Sequence, residues 1–203
     1  DIEYVLVGSE MCIRDRVRKA EAHTWSGDVE IVRGDASEPE DVSSALKGID
    51  VAYYLLHSIG TGDDFTDTEH DMAKTFADEA KRAGVRRIVY LGGMIPEGEE
   101  LSPHLKSRKE VGDVLLASGV PTAVLQAGVV IGSGSASFEM LRYLTERLPV
   151  MVTPKWVHTR IHPIALRDVV RYLVGCADLP EDVTHRFDTG GPAVLPYFDM
   201  LPR

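Results

Sequence analysis

The chain has 203 residues, 44% of them hydrophobic and 27% charged, with a formal net charge of −10, enough apolar material for the core of one domain. No apolar run approaches the roughly 20 residues of a membrane span, and the negative balance argues against nucleic acid as a partner. The seven histidines lack HxxxH or cysteine-paired spacing, so no metal site is expected.

In chain order the first segment is unlike the rest. Leu6 to Arg16, LVGSEMCIRDR, is the in-frame translation of a common transposase-type sequencing-library adapter. Agreement over eleven consecutive residues is not expected by chance, so residues 1–16 are read as foreign and 17–203 as the natural domain. The stretch IEYVLVGSE imitates the first strand and turn of a dinucleotide-binding fold but has no G-x-x-G-x-x-G. Without those glycines the backbone cannot approach a pyrophosphate, and no helix N-terminus is aimed at one. A strand can still form there, because apolar residues beside an open sheet edge pair opportunistically. Setting Cys12 aside with this segment leaves Cys176 alone, which excludes a disulfide framework, suits a reducing cytoplasm and points to core packing.

From Val29 onward short apolar runs alternate with helical patterns: VEIV then PEDVSSALKG, VAYYLL then a long polar segment to AKRAG, RRIVYLGG then SPHLKSRKEVGDVLLASG, and PTAVLQAGVVIG then SFEMLRYLTERL. Runs such as VAYYLL and IVYL are continuously apolar, as parallel strands covered on both faces require. The expected architecture is α/β, a Rossmann-type doubly wound parallel sheet, incomplete at its N-terminus. Gly48, Gly84 and Gly119 each stand between a helical segment and a strand, where a left-handed C-cap is wanted. Ser102 followed by Pro103 reads as N-cap and first helical residue, and Ser137 can cap the helix carrying Phe138, Met140, Leu141 and Leu144.

A doubly wound fold binds ligands beyond the C-terminal ends of its strands, so residues that follow strands are weighed first. Asp35 follows VEIVRG; its carboxylate can accept from an adenine amino group beside the Ala36 backbone, or can simply cap the next turn. Arg18 and Lys19 are either cations for a 2′-phosphate or a solvated basic pair. After VAYYLL come His57 and Ser58, and RRIVYL is followed by Gly92 and Gly93, which leave room for a ribose against the backbone or only make a tight turn. His104 and Arg108, four apart on one helix, face the same way, so Arg108 can depress the pKa of His104 or hold a substrate anion. The alternative is a solvated first turn. The run Gly132 to Ser137 lacks the lysine and spacing of a phosphate loop and reads as a substrate-side loop. No G-x-S-x-G sits at a strand-to-helix turn, which excludes a nucleophile-elbow hydrolase.

The stretches VRGDASEPEDVSSALKGIDVAYYLLHS, AGVRRIVYLGG, LSPHLKSRKEVGDVLLASGVPTAVLQAGVVIGSGSASFEMLRYLTERLPVM, HPIALRDVVRYLVG and FDTGGP resemble the atypical short-chain dehydrogenase/reductase superfamily, in its NmrA-like and complex-I-accessory-subunit-like branch. The resemblance runs from Val17 nearly to the C-terminus. It implies an NAD(P)-binding Rossmann-type domain with Arg18, Asp35, Ala36, Leu55, Leu56, His57, Gly92, Gly93 and Ala127 along the cofactor, NADP ahead of NAD on the strength of Arg18. The superfamily's Tyr-x-x-x-Lys falls on His104 and Arg108, and its serine at the end of the strand that reads IVYLGG falls on Gly93 or a neighbour. Imidazole can donate a proton near neutral pH, but Arg cannot exchange one as Lys can. The last stretch, FDTGGPAVLPYFDMLPR, resembles a final strand entering a further helix, with more chain expected beyond.

The expected function is therefore NAD(P)-dependent hydride transfer to or from a small-molecule substrate, with His104 and Arg108 as the catalytic pair. The rival is a non-catalytic NAD(P)-binding redox sensor or complex-stabilising module, motivated by the missing Tyr, Lys and Ser. A sugar-nucleotide epimerase needs the same tyrosine and ranks below both.

Overall fold

The computed structural model describes residues 5–9, 12–17, 29–56, 64–96, 98, 101–132 and 160–196. Strands β1 (Val5–Ser9), β2 (Cys12–Val17) and β3 (Val29–Arg33) precede helix α1 (Pro39–Leu46). There follow β4 (Val51–Tyr54), α2 (Asp64–Ala83), β5 (Arg87–Gly93), α3 (Pro103–Leu116) and β6 (Thr122–Ala127). The short strands β7 (Val130–Ile131), β8 (Arg160–Ile161) and β9 (Ile164–Ala165) lead to α4 (Leu166–Ala177), β10 (His185–Thr189) and β11 (Leu195–Pro196). Seven strands make one sheet in the order β10-β6-β5-β4-β1-β2-β3, while β7 pairs with β9 and β8 with β11.

The Rossmann-type α/β fold is present, and within its seven-stranded sheet β1 is the strand that runs against the others. The pairs β4–β5, β5–β6, β6–β10 and β2–β3 are parallel, but β1 runs antiparallel to both β2 and β4. The cause is covalent. Only residues 10 and 11 separate β1 from β2, and a link that short closes a hairpin, whereas a parallel pair needs a crossover of about a dozen residues. Val5 pairs with Tyr54 at the C-terminal end of β4, and Gly8 with Val51 at its beginning. The hairpin turn therefore lies at the sheet edge opposite the strands' C-terminal ends.

The centre of the sheet is dry on both faces, as the continuous apolar runs require. Ala52, Tyr54, Ile88, Tyr90 and Val124 point toward α1, α2 and α3 and pack with Leu46, Phe76 and Leu115. Val51, Val89, Ala123 and Leu125 point the other way and meet Cys176 of α4, which is the core role expected of that thiol. Tyr54 sets its ring edge against Phe76 at 4.9 Å between centroids, a favoured aromatic geometry. The steps β4→β5→β6→β10 all cross the sheet in one direction, yet α4 lies on the face opposite α2 and α3. Traced through α4, the last connection has the opposite hand to the usual right-handed crossover.

Local signals hold where they can be read. Gly48, Gly84 and Gly119 take φ of +74°, +73° and +82°, the left-handed C-cap conformation expected of them. Ser102 caps α3, its Oγ accepting from the Leu105 N–H at 3.4 Å, with Pro103 in the first turn. The run PTAVLQAGVVIG, read as one strand, is broken into β6 and β7 at Gly128. The His162 carbonyl crosses there so closely that no side chain fits at 128, and β7 turns away to pair with β9.

Two long-range ties hold the β10 edge. Arg87, fully buried at the start of β5, donates from Nη2 to the carbonyls of Leu179 at 3.0 Å and Pro180 at 2.6 Å, and from Nη1 to that of Val183 at 3.1 Å. Arg186 of β10 reaches over to Asp113 of α3, passing so near Gly112 that a Cβ there would stand 2.8 Å from its Nη1.

Candidate functional site

The C-terminal strand ends bring together Gly92 and Gly93 of β5, Ala127 of β6 and the first two turns of α3. Gly93 is in register with Ala127, and the Met94 N–H continues the ladder to the Ala127 carbonyl at 2.9 Å. A Cβ built on Gly93 would lie 3.2 Å from Leu105 Cδ2 and 3.5 Å from Arg108 Nη1, and one on Gly92 would lie 3.0 Å from Tyr90 Cε1. The space opened by the two missing side chains, read as room for a ribose, is thus taken on the Cβ side by Tyr90, Leu105 and Arg108. A side chain at 93 would press on Leu105, while the Arg108 guanidinium would stand at ordinary contact distance.

His104 and Arg108 share a face of α3, as their spacing predicts. Partial burial, and then the Arg108 charge, lower the His104 pKa below 6.5, while the carboxylate of Glu69 on α2 raises it. Arg108 Nε is buried and meets no hydrogen-bond partner. Beneath the pair, the Tyr90 hydroxyl donates to the Arg108 carbonyl at 3.3 Å. The Ser107 hydroxyl donates to Glu69 Oε2 in a buried contact.

The other half of the site follows β3. Asp35 Oδ1 accepts from the Ser37 N–H at 3.0 Å and from Ser37 Oγ at 2.7 Å, an Asx turn in which the capping alternative is realised. The Asp35 N–H in turn donates to Asp41 Oδ2 of α1 at 2.7 Å. Ala36 and Leu56 are buried in the core beneath the strand ends, with Leu55 half-buried beside them. β3 and β5 are four strand spacings apart in the sheet, about 19 Å at the usual 4.7–4.9 Å each. Arg18 and Lys19, His57 and Ser58, Ser133 to Ser137 and the expected helix at Phe138 to Leu144 lie outside the described residues.

Sequence reasoning missed several polar residues, some around this centre and one at the opposite end of β5. Glu69 and Ser107 gave no signal in a polar helix and a solvated-looking one. Buried Arg87 stood in an Arg86-Arg87 doublet, of which only the second turns inward. His162 Nε2 lies 2.6 Å from the Gly191 carbonyl, and its ring and backbone fill the space that side chains at Gly190 and Gly128 would need. The glycines of AGVV and TGGP were the available trace of that crossing. A cavity of about 520 Å³ lies between α4 and β10, lined by Leu125, Tyr172, Cys176 and Phe187 among others. None of the strand-end residues named above as site candidates borders it.

A sequence profile of the NAD(P)H-binding family matches residues 10–130, more than half of the chain. The chain belongs to the NAD(P)H-binding family. It is an NAD(P)-binding protein, as its motifs led one to expect. No curated protein matches the sequence. Among solved structures it is similar to MoeE5 in complex with UDP-glucose and NAD, with TM-score 0.73 and 17% identity over 91% of this chain and 69% of that one. It is also similar to the enzyme WbmH of Bordetella bronchiseptica in complex with NAD+, with TM-score 0.69 and 17% identity over 89% and 66%. A third is UDP-N-acetylglucosamine 4-epimerase of Bacillus cereus, with TM-score 0.67 and 15% identity over 91% and 70%. The chain thus spans about two thirds of these structures, and at such identities they share its fold.

The nicotinamide cofactor fits this site unevenly. Strand ends are available for its adenine and nicotinamide ends. At the pyrophosphate, between β1 and β4, the described residues offer no glycine turn and no helix N-terminus, because β1 arrives at that edge with its first residue, Val5. Among the described residues no helix is long and apolar enough to cross a membrane.

Proposed function

We propose that the natural protein is an NAD(P)-dependent oxidoreductase of the atypical short-chain dehydrogenase/reductase class, acting on a small molecule. The single observation that supports this best is the meeting of Gly93 and Arg108 at the end of β5, with His104 one turn earlier on the same face of α3, in a family that binds NAD(P)H. The bound cofactor would supply or accept the hydride. His104 would hold and donate the proton as imidazolium, Arg108 would keep a carbonyl or anionic substrate oxygen in reach, and Asp35 and Ala36 would line the adenine. Leu55, Leu56 and His57 would follow the ribose, with Gly92 and Ala127 near the nicotinamide. Arg18, next to the C-terminal end of β2, favours NADP over NAD.

Residues 1–16 are proposed to be foreign, with the hairpin of β1 and β2 standing where a strand, a G-x-x-G-x-x-G turn and a crossover helix belonged. Long-read sequencing of the source locus upstream of the Val17 codon would return such a motif; an unchanged LVGSEMCIRDR would end this reading. In the protein with its natural N-terminus, His104→Ala is expected to lower turnover of a carbonyl or quinone by about 10²- to 10⁴-fold, with the Kd for NADPH unchanged. Unchanged turnover would remove His104 from the chemistry.

A second reading, a non-catalytic NAD(P)-binding module, is favoured by the replacement of Tyr and Lys by His104 and Arg108. It predicts tight NADPH binding with no consumption across the same substrate panel.

A further inference from the structure

Behind the His104–Arg108 pair lies a charge that the chemistry above does not use. Glu69 is 7% exposed and Ser107 is 1% exposed, and the Ser107 hydroxyl donates to the Glu69 carboxylate. His104, Ser107 and Arg108 stand at i, i+3 and i+4 and so share one face of α3, which runs on into the core through buried Val111 and Leu115. A carboxylate removed from water at a helix–helix contact costs stability unless hydrogen bonds and opposite charges offset it. The hydroxyl supplies the first of these, and His104 in its protonated form is an opposite charge that acts on the carboxylate from α3.

The groups facing His104 act on it in opposite senses. From its own helix, Arg108 drives the proton off; from α2, Glu69 draws it on. From β5 the group beneath is Tyr90, a phenol pushed up by burial first, on which Arg108 and Glu69 are again opposed and Arg186 of β10 adds a further positive charge. Without the carboxylate, burial and Arg108 would act unopposed and leave less of the acid form of this imidazole.

We propose that Glu69 is a positioning residue for this site: its buried carboxylate, held in place by Ser107, is the counter-charge to Arg108 that lets His104 keep the proton it donates. The proposal rests on His104 as the donor, but its test does not need turnover. The ring resonances of the histidines are titrated by NMR in the full chain and in Glu69→Gln, Glu69→Asp and Ser107→Ala. Glu69→Gln keeps the size and the hydrogen bond but loses the charge, and is expected to move the His104 midpoint to lower pH while His162 and His185 stay where they were. Glu69→Asp should remain near the parent, and Ser107→Ala should move in the same direction as Glu69→Gln by less.

An unmoved His104 midpoint in folded Glu69→Gln overturns the proposal. If Glu69→Gln does not fold, Ser107→Ala decides: a shift to lower pH supports the role, and no shift overturns it. A shift combined with undiminished turnover of His104→Ala would leave the coupling standing and sink only the donor assignment. No shift combined with inactive His104→Ala would do the reverse.

Discussion

The β1–β2 pair and the strands from β4 to β6 fill neighbouring positions of one sheet by different means. Between β4 and β6 each strand is joined to the next by a helix that returns the chain to the same edge, so each strand end faces the site and each helix buries a face of the sheet. β1 and β2, only two residues apart in the chain, run antiparallel, and β1 fills its place pointing the wrong way. The difference teaches where function resides in such a fold. Any apolar segment can occupy a strand position, because an open sheet edge accepts a partner readily. The turn and helix that follow the strand are what present N–H groups to a phosphate, and a hairpin cannot supply them.

If that contrast is right, the largest difference should appear in hydrogen exchange. Amides of β5 and β6, buried on both faces, should exchange about a thousandfold more slowly than those of β1, since protection follows local opening free energies that span several kcal/mol. Equal protection would mean that the hairpin is an integral part of the cooperative core.

Next in size is the tie between the sheet centre and the α4–β10 loop. Arg87→Met leaves the carbonyls of Leu179, Pro180 and Val183 without their donor, at about 1 kcal/mol each. A loss of about 3 kcal/mol, read as a lowered urea midpoint with an unchanged m-value, is expected; a loss under 1 kcal/mol would show that water replaces the guanidinium freely.

Replacing residues 1–16 with a strand, a G-x-x-G-x-x-G turn and a helix tests the hairpin side directly. Two charge-assisted hydrogen bonds to the pyrophosphate, at about 1.5 kcal/mol each, should tighten NADPH binding by about 100-fold over the present chain. Micromolar binding by the present chain, measured by calorimetry, would contradict the account of its missing loop.

The smallest expected effect lies at the outer edge. Burial alone would raise the Asp113 pKa, but Lys109 and Arg186 bring it below 3.8. A depressed carboxylate contributes stability above its unfolded pKa and loses it as pH falls through the folded value. The Arg186–Asp113 pair is largely solvated, so Asp113→Ala should cost less than about 1 kcal/mol at pH 7 and less still as the pH falls below 3.8. A constant cost across that range would point to packing at Gly112 instead of charge.

Much of the fold was legible because it rests on local rules. Apolar runs too short for helices gave β3 to β6, Pro and Ser marked the starts of α1 and α3, and Gly48, Gly84 and Gly119 marked helix ends, each for a reason confined to a few residues. The one long run misread as a single strand was broken at Gly128 by a carbonyl more than thirty residues away, at His162, which no local rule could anticipate.

By itself, then, the sequence determined the order and kind of the elements from β3 to β6, the dry sheet centre and the absence of a glycine-rich phosphate turn, because these depend on side-chain size, polarity and backbone freedom along the chain. Tertiary structure alone decided that β1 is reversed, that Arg87 and Arg186 bind distant segments, and that Glu69 stands behind His104. Those depend on which segments meet in space, and a charged residue on a polar helix looks the same in sequence whether it faces water or is sealed against another helix.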